Sequence, residues 1–274
     1  MFTVKGNYDY SYEIRKTNNI FAPDNDSLLT IGGTEIGSRR FILVDNMVNT
    51  IYGKDIVTYF AKNGVEAKIC TIPGGDVNKN EAYYFNVFKE LCAFDLMRKS
   101  EPLLAIGGGV TTDLGGFVAS TYRRGIPHIK IPTTLMGYVD ASVGIKTGVN
   151  FGKYKNRMGS FEIPAGVILD KTFLKTLDTR NLINGIGEIV KLAVILDPVL
   201  FDLLEQSGTT LIRDKFQSEI GEMILDRSIL KMINELSGNL YETVLRRKVD
   251  FGHTFSLEIE SASNYDTMHG EAVA

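Results

Sequence analysis

Leu103-Leu104-Ala105-Ile106-Gly107-Gly108-Gly109-Val110-Thr111-Thr112-Asp113-Leu114-Gly115-Gly116 reads as an apolar strand, a glycine turn and the start of a helix. Glycines at such a turn allow positive φ and let backbone N–H groups approach a pyrophosphate at the helix N-terminus. The spacing departs from the usual dinucleotide fingerprint, in which an acidic residue follows the glycines by roughly 20 residues. Here the acid suited to a ribose, Asp45, precedes them. Spacing alone leaves two readings open: a nucleotide site along Asp45 and Gly107 to Gly109, or a plain strand–helix turn with Asp45 capping its own helix.

Outward from this stretch, short apolar runs alternate with amphipathic ones, the pattern of strands and helices layered on a parallel sheet. Phe41 to Val44 reads as a strand, and Val48, Ile51, Ile56, Val57 and Phe60 keep helical spacing up to a stop at Gly64. Ala67 to Ile72 is a strand, Pro73 to Asp76 a turn, Glu81 to Met97 a helix, and Pro102 to Ile106 a strand. From Asp178 the pattern turns helical: Leu182, Ile186, Ile189, Val190 and Ala193 share a face, Asp197-Pro198 breaks it, and Glu219 to Leu236 is a further amphipathic segment. The expected organisation is α/β, an N-terminal Rossmann-like parallel-sheet domain over 1–177 and a mostly α-helical domain over 178–274.

The chain has 274 residues, with 30 Lys+Arg against 33 Asp+Glu and a formal charge of −3, which gives no footing for nucleic acid. No apolar run reaches the roughly 18 residues of a membrane helix, and Met1 to Arg15 lacks a signal peptide's apolar core, so no membrane partner and a cytoplasmic location are expected. Cys70 and Cys92 have neither disulfide-framework nor metal spacing. Eleven of the 27 glycines fall between Gly107 and Gly159, amid Arg123, Arg124, Thr133, Thr134, Asp140, Lys146, Asn150, Lys153, Lys155, Asn156 and Arg157. Cations suit phosphate while amides and carboxylates suit hydroxyls, so this mixture fits a phosphorylated, polyhydroxylated ligand. Lys153 to Arg157 taken alone reads equally as a solvated loop. Asp140 and Lys146 stand among Val139, Ala141, Val143 and Ile145, where charges are costly without partners, and this favours a site.

Gly107 to Asp113, Tyr122-Arg123-Arg124-Gly125, Ile131-Pro132-Thr133-Thr134-Leu135, Val139 to Thr147, Lys155-Asn156, Gly187-Glu188-Ile189-Val190-Lys191, Asp250 to Phe255 and His269-Gly270-Glu271-Ala272 resemble, in order, the motifs of 3-dehydroquinate synthase and its relatives, the sugar phosphate cyclases. Phe21 to Asp26, Asn156 to Ser160 and Asp250 look most like the branch acting on sedoheptulose 7-phosphate. Dehydroquinate synthases carry Asn in place of Asp250 and a second His in place of Leu257. Leu257 also differs from the Pro common in the cyclase branch, which leaves the exact product open.

The resemblance implies three metal ligands, Glu188, His253 and His269, for a divalent ion such as Zn²⁺ or Co²⁺. Spacing does not single them out, since Glu258, Glu260 and Glu271 are rival carboxylates. Glu188 and Lys191, three apart on a helix, can face one cavity, and His128 matches no ligand motif. NAD is implied along Asp45, Gly74, Gly75, Asp76, Lys79, Gly108, Gly109, Val110, Thr111, Thr112, Asp113, Thr133, Thr134, Lys146, Lys155, Phe173 and Thr176. Substrate contacts are implied at Arg124, Asp140, Lys146, Asn156, Lys191, Arg246 and Asp250, whereas no role carries over to Lys231. The implied reaction is cyclisation of a seven-carbon sugar phosphate by transient oxidation, phosphate elimination, reduction and intramolecular aldol closure, in a homodimer. Dehydroquinate synthase, a metal-dependent NAD polyol dehydrogenase and an inactive fragment are the alternatives. Family members continue through further helices beyond the position of Ala274, so the resemblance also implies a C-terminal truncation that leaves apolar faces uncovered.

Overall fold

The computed structural model describes residues 1–6, 9–33 and 38–274. Its centre is a six-stranded, wholly parallel sheet of β1 (Glu13–Thr17), β2 (Arg40–Asp45), β3 (Ala67–Ile72), β4 (Leu103–Gly107), β5 (His128–Pro132) and a last strand, Gly166–Asp170. Between β5 and that last strand the chain makes an antiparallel hairpin, β6 (Lys146–Phe151) and β7 (Tyr154–Phe161), which makes Gly166–Asp170 β8. The sheet order is β1-β8-β5-β4-β2-β3. Strands β4, β5 and β8 are buried along their whole length, as the strands of a parallel sheet covered on both faces are.

Alternation sorts β2 and β4 between two cores. Phe41, Leu43, Leu103 and Ala105 face α3 (Glu81–Phe94) and α4 (Gly109–Thr121), while Ile42, Val44, Leu104 and Ile106 face α1 (Ser27–Thr30) and α2 (Asn46–Lys62). A third core joins Val167 and Leu169 of β8 to α5 (Thr179–Leu196), α6 (Pro198–Asp214) and α7 (Glu219–Ser237). The chain ends in α8 (His253–Ala262) and α9 (His269–Val273).

Helix boundaries follow capping chemistry. Asn80 accepts from Ala82 and Tyr83 at the start of α3, Asp178 caps α5, and Asp197 caps α6 with Pro198 in its first turn. The expected helix to Met97 stops earlier, because Asp95 turns left-handed at φ 55°. Strands β1, β5 and β8 escape a reading by local pattern. β1 is a partly polar edge, and β5 carries His128 and Lys130 inside the sheet.

Topology fixes where a ligand fits. From β2 the chain steps outward to β3 and then crosses back to β4 on the other side of β2. This reversal opens a crevice at the carboxyl ends of β2 and β4, the usual binding position in open α/β sheets.

Candidate active site

The crevice is lined by the ends of the strands that make it. Asp45 Oδ1 accepts from Met47 N at 2.7 Å and Val48 N at 3.3 Å, so the capping role is real. The other oxygen, Oδ2, turns to Gly74, where a Cβ would lie 2.5 Å from it. A Cβ on Gly107 would stand 3.1 Å from that of Asp45 and 2.5 Å from Thr111 Oγ1. Only glycine lets these three segments meet. At the start of α4, Gly108 supplies no side-chain cap, and Gly108, Gly109 and Val110 are half-buried, so the first N–H groups of a 13-residue helix face the crevice. Thr111 and Thr112 are buried, and Thr133 N donates to Gly107 O at 2.9 Å. Thr134 Oγ1 accepts from Gly137 N at 3.1 Å, and a Cβ on Gly108 would lie 3.1 Å from Thr134 Cγ2. Phe173 is a core residue packed on Tyr52, whose hydroxyl meets Thr176 Oγ1 at 3.0 Å.

The polar stretch from Tyr122 to Ser160 is built as a π-helical turn, Gly137–Ala141, and the β6–β7 hairpin rather than as a loop. The end of the hairpin locks onto the turn after β3. Lys79, buried, donates to Asp113 Oδ2 at 2.6 Å and Asn156 Oδ1 at 2.8 Å. Asn150, also buried, donates from Nδ2 to Asp76 O at 3.1 Å and accepts from Asn156 N at 2.9 Å. Lys155 Nζ pairs with Asp76 Oδ2 at 2.9 Å and with Glu260.

Glu188, His253 and His269 converge, with one ligand atom of each within 4.8 Å of the others. α5 delivers Glu188 and Lys191 on one buried face, three residues apart, and the two form an ion pair. His269 Nε2 stands 3.3 Å from Glu188 Oε1, and its Nδ1 lies 2.7 Å from Glu260 Oε1. The rings of His253 and His269 meet edge to face at 4.9 Å. Close backbone packing sets this geometry: a Cβ on Gly187 would lie 2.2 Å from Gly270 O, and Gly270 N donates to Asn184 Oδ1 at 2.7 Å. Of the rival carboxylates, Glu271 turns away to Arg180 at 2.8 Å, Glu258 is exposed, and Glu260 is buried behind His269.

The electrostatics are those of a charged site held out of water. Burial alone would lower the His269 pKa, but the carboxylates of Glu188 and Glu260 outweigh it and raise it to about 9. His253, by burial and by the neighbouring cations Lys191 and His269, is pushed down. Burial, and next the charge of Glu188, raises Asp140, while Lys191, His269 and Lys146 oppose them. Both Glu188 oxygens are buried, one against the Lys191 ammonium and the other 3.3 Å from His269 Nε2, and against the opposing effect of burial these two partners hold its pKa down at about 2. A fully buried carboxylate with two imidazoles, their ligand atoms all within 4.8 Å of one another, has the donor set of a divalent-metal site with three protein ligands.

Other expected residues are placed differently. Lys146 is not enclosed by its apolar neighbours: its side chain is 62% exposed, and it pairs with Glu242 Oε1 at 3.1 Å. Arg246 is exposed, whereas the next residue, Arg247, is 12% exposed and pairs with both Glu242 and Asp250. Arg124 is exposed past the C-terminal end of α4, roughly 20 Å along a 13-residue helix from the glycine turn. Glu260, Glu242, Arg247 and Asn150 belong to the arrangement although no motif names them; the signal available for Arg247 and Glu242 was only their proximity in sequence to Asp250.

Residues 69–184 match the 3-dehydroquinate synthase N-terminal family model and residues 185–274 the C-terminal one. The 2-epi-5-epi-valiolone synthase of Streptomyces albus is 44% identical over 270 residues, covering 96% of this chain and 66% of that protein. The 3-dehydroquinate synthase of Lactococcus lactis subsp. cremoris is 38% identical over 256 residues, covering 92% and 71%. Among solved structures, the 2-epi-5-epi-valiolone synthase of Streptomyces hygroscopicus subsp. jinggangensis 5008, with NAD⁺ and Zn²⁺ bound, superposes with a TM-score of 0.93 at 40% identity, over 99% of this chain and 74% of that one. The chain thus spans about two thirds to three quarters of the length of these relatives. With both family models matched in tandem and the same sheet and helix arrangement, this chain belongs to the 3-dehydroquinate synthase family of sugar phosphate cyclases.

Proposed function

We propose that this chain carries the NAD- and metal-dependent cyclisation of sedoheptulose 7-phosphate, of the 2-epi-5-epi-valiolone synthase type. The observation that carries the proposal is the convergence of Glu188, His253 and His269, their ligand atoms within 4.8 Å of one another, in a molecule that also has a glycine-lined crevice. When bound, NAD accepts and returns a hydride while a divalent ion draws electron density from a substrate hydroxyl. Glu188, His253 and His269 would hold the ion. The uncapped N-terminus of α4 suits the pyrophosphate, and Asp45 Oδ2 suits a ribose hydroxyl. Lys191, buried at the ion-binding face, offers positive charge to a substrate oxygen, and Asp140 accepts from substrate hydroxyls. Lys146 and Asn156, both exposed on the hairpin, meet the phosphate. Arg247 holds the Asp250 carboxylate in place beside this cluster. A homodimer in the cytoplasm belongs to the same proposal and rests on the family resemblance; no helix among the described residues is long and apolar enough to cross a membrane.

Against dehydroquinate synthase stand Asp250 and Leu257, and also Lys231, which turns to Asp197 at 3.5 Å between α6 and α7 and offers no second cation for a substrate carboxylate. Protein supplied with NAD and Zn²⁺ or Co²⁺ is expected to release phosphate and form a cyclic product from sedoheptulose 7-phosphate, with no net NADH. Phosphate released only from the dehydroquinate precursor refutes the proposal, and so does NADH accumulating without phosphate.

A further inference from the structure

One line of charge crosses the molecule between its two proposed binding places. Asp76 sits on the turn after β3, which under the reading above carries the nucleotide. Its Oδ2 meets Lys155 Nζ at 2.9 Å; the same ammonium binds Glu260 Oε2; and Glu260 Oε1 meets His269 Nδ1 at 2.7 Å. His269 Nε2 in turn faces Glu188 at 3.3 Å. Five elements contribute: the turn after β3, the β7 strand, α8, α9 and α5.

The middle of the line is dry. The Glu260 side chain is 1% exposed and that of Lys155 19%. A buried carboxylate is costly unless each oxygen finds a donor. Here the two oxygens are divided, one to the lysine and one to the histidine, so moving either partner leaves the other end badly satisfied. The line is also anchored sideways. Asn150 ties the Asp76 carbonyl to Asn156, and the Tyr265 ring lies 5.7 Å from Lys155 Nζ.

Resting on the reading of the site given above, we infer that Glu260 and Lys155 are positioning residues that couple the two places: Glu260 orients His269 through Nδ1, and Lys155 transmits the order of the nucleotide turn to Glu260. A carboxylate on the outer ring nitrogen fixes the tautomer and orientation that present Nε2 to a metal. Whatever orders the Asp76 turn therefore helps to order the imidazole, and by linkage a metal on His269 favours the nucleotide by the same factor.

The test measures Zn²⁺ affinity by competition with a chelating indicator, with and without saturating NAD, in wild type, Lys155→Met, Lys155→Arg, Glu260→Gln and His253→Ala. NAD is expected to tighten Zn²⁺ binding in wild type by about fivefold or more, within the usual range of such couplings. Lys155→Met reduces that factor to about one, and Lys155→Arg restores it. Glu260→Gln, close in shape to the natural residue, weakens Zn²⁺ by roughly 10- to 100-fold, and it alters the visible spectrum of the Co²⁺-loaded protein. Thermal unfolding confirms that each variant is folded. A wild-type Zn²⁺ affinity indifferent to NAD overturns the coupling, as does a coupling that survives in Lys155→Met. If His253→Ala binds Zn²⁺ as wild type does, the metal site itself is misassigned and both readings fall.

Discussion

His128 shows what a single residue can conceal. It lies on the central strand β5, fully buried beside Gly116, and neither ring nitrogen has a hydrogen-bond partner. Burial, assisted by the nearby Lys130, holds its pKa down at about 3 against an ordinary 6.5. Because the folded-state value is lowered, the unfolded chain takes up a proton first as the pH falls, and stability is lost from about pH 6.5 down toward pH 3. One proton over this range amounts to about 2 kcal/mol between pH 7 and pH 5. His128→Leu is expected to remove that part of the acid sensitivity, read as a smaller shift of the urea midpoint between the two pH values. A shift equal to that of wild type would refute the assignment. Asp45 illustrates the reverse case, in which one residue keeps both sequence readings compatible: Oδ1 caps α2, while Oδ2 is turned toward Gly74.

At the scale of elements, the geometry of the proposed metal ligands depends on how closely two helices approach. α5 and α9 touch backbone to backbone at Gly187 and Gly270, and this contact seats His269 against Glu188. A methyl on Gly187 meets a carbonyl oxygen rather than a flexible side chain, so α9 must move. Gly187→Ala is therefore expected to weaken Zn²⁺ binding at least tenfold and to lower the melting temperature, with overpacking of about 1–3 kcal/mol. Unchanged metal affinity would show that α9 yields without moving its histidine. The helices were largely readable in advance: Asp178 and Asp197-Pro198 mark starts, Glu219 to Leu236 reads as amphipathic, and the apolar face of α5 keeps its period through Ala193. The β6–β7 hairpin was not, because its alternation is obscured by glycines and by side chains whose partners lie on the turn after β3 and on α8.

Across the whole molecule, the hairpin end ties the crevice to the proposed metal cluster: Lys79 binds it to Asp113 of α4, and Lys155 joins the turn after β3 to Glu260 behind His269. Hydrogen exchange should record this: NAD is expected to slow exchange over Gly74–Lys79 and Gly107–Asp113, Zn²⁺ over α8 and α9, and each ligand partly over the other's segment. Protection confined to each ligand's own segment would place the two sites in independent units. Periodicity and capping, which are local properties of the chain, were enough for the α/β order and the strand–glycine–helix turn, whereas the family and the three candidate ligands came from the resemblance of the ordered motifs. Only the tertiary structure decided which carboxylate stands behind His269, that Arg247 rather than Arg246 reaches Asp250, and that Arg124 stands away from the cluster. Glu260 and His269 are only nine residues apart and Arg247 and Asp250 only three, but which side chains face each other follows from how their segments pack against distant ones, as Gly187 does against Gly270 and Lys155 against Glu260, and no local spacing encodes that.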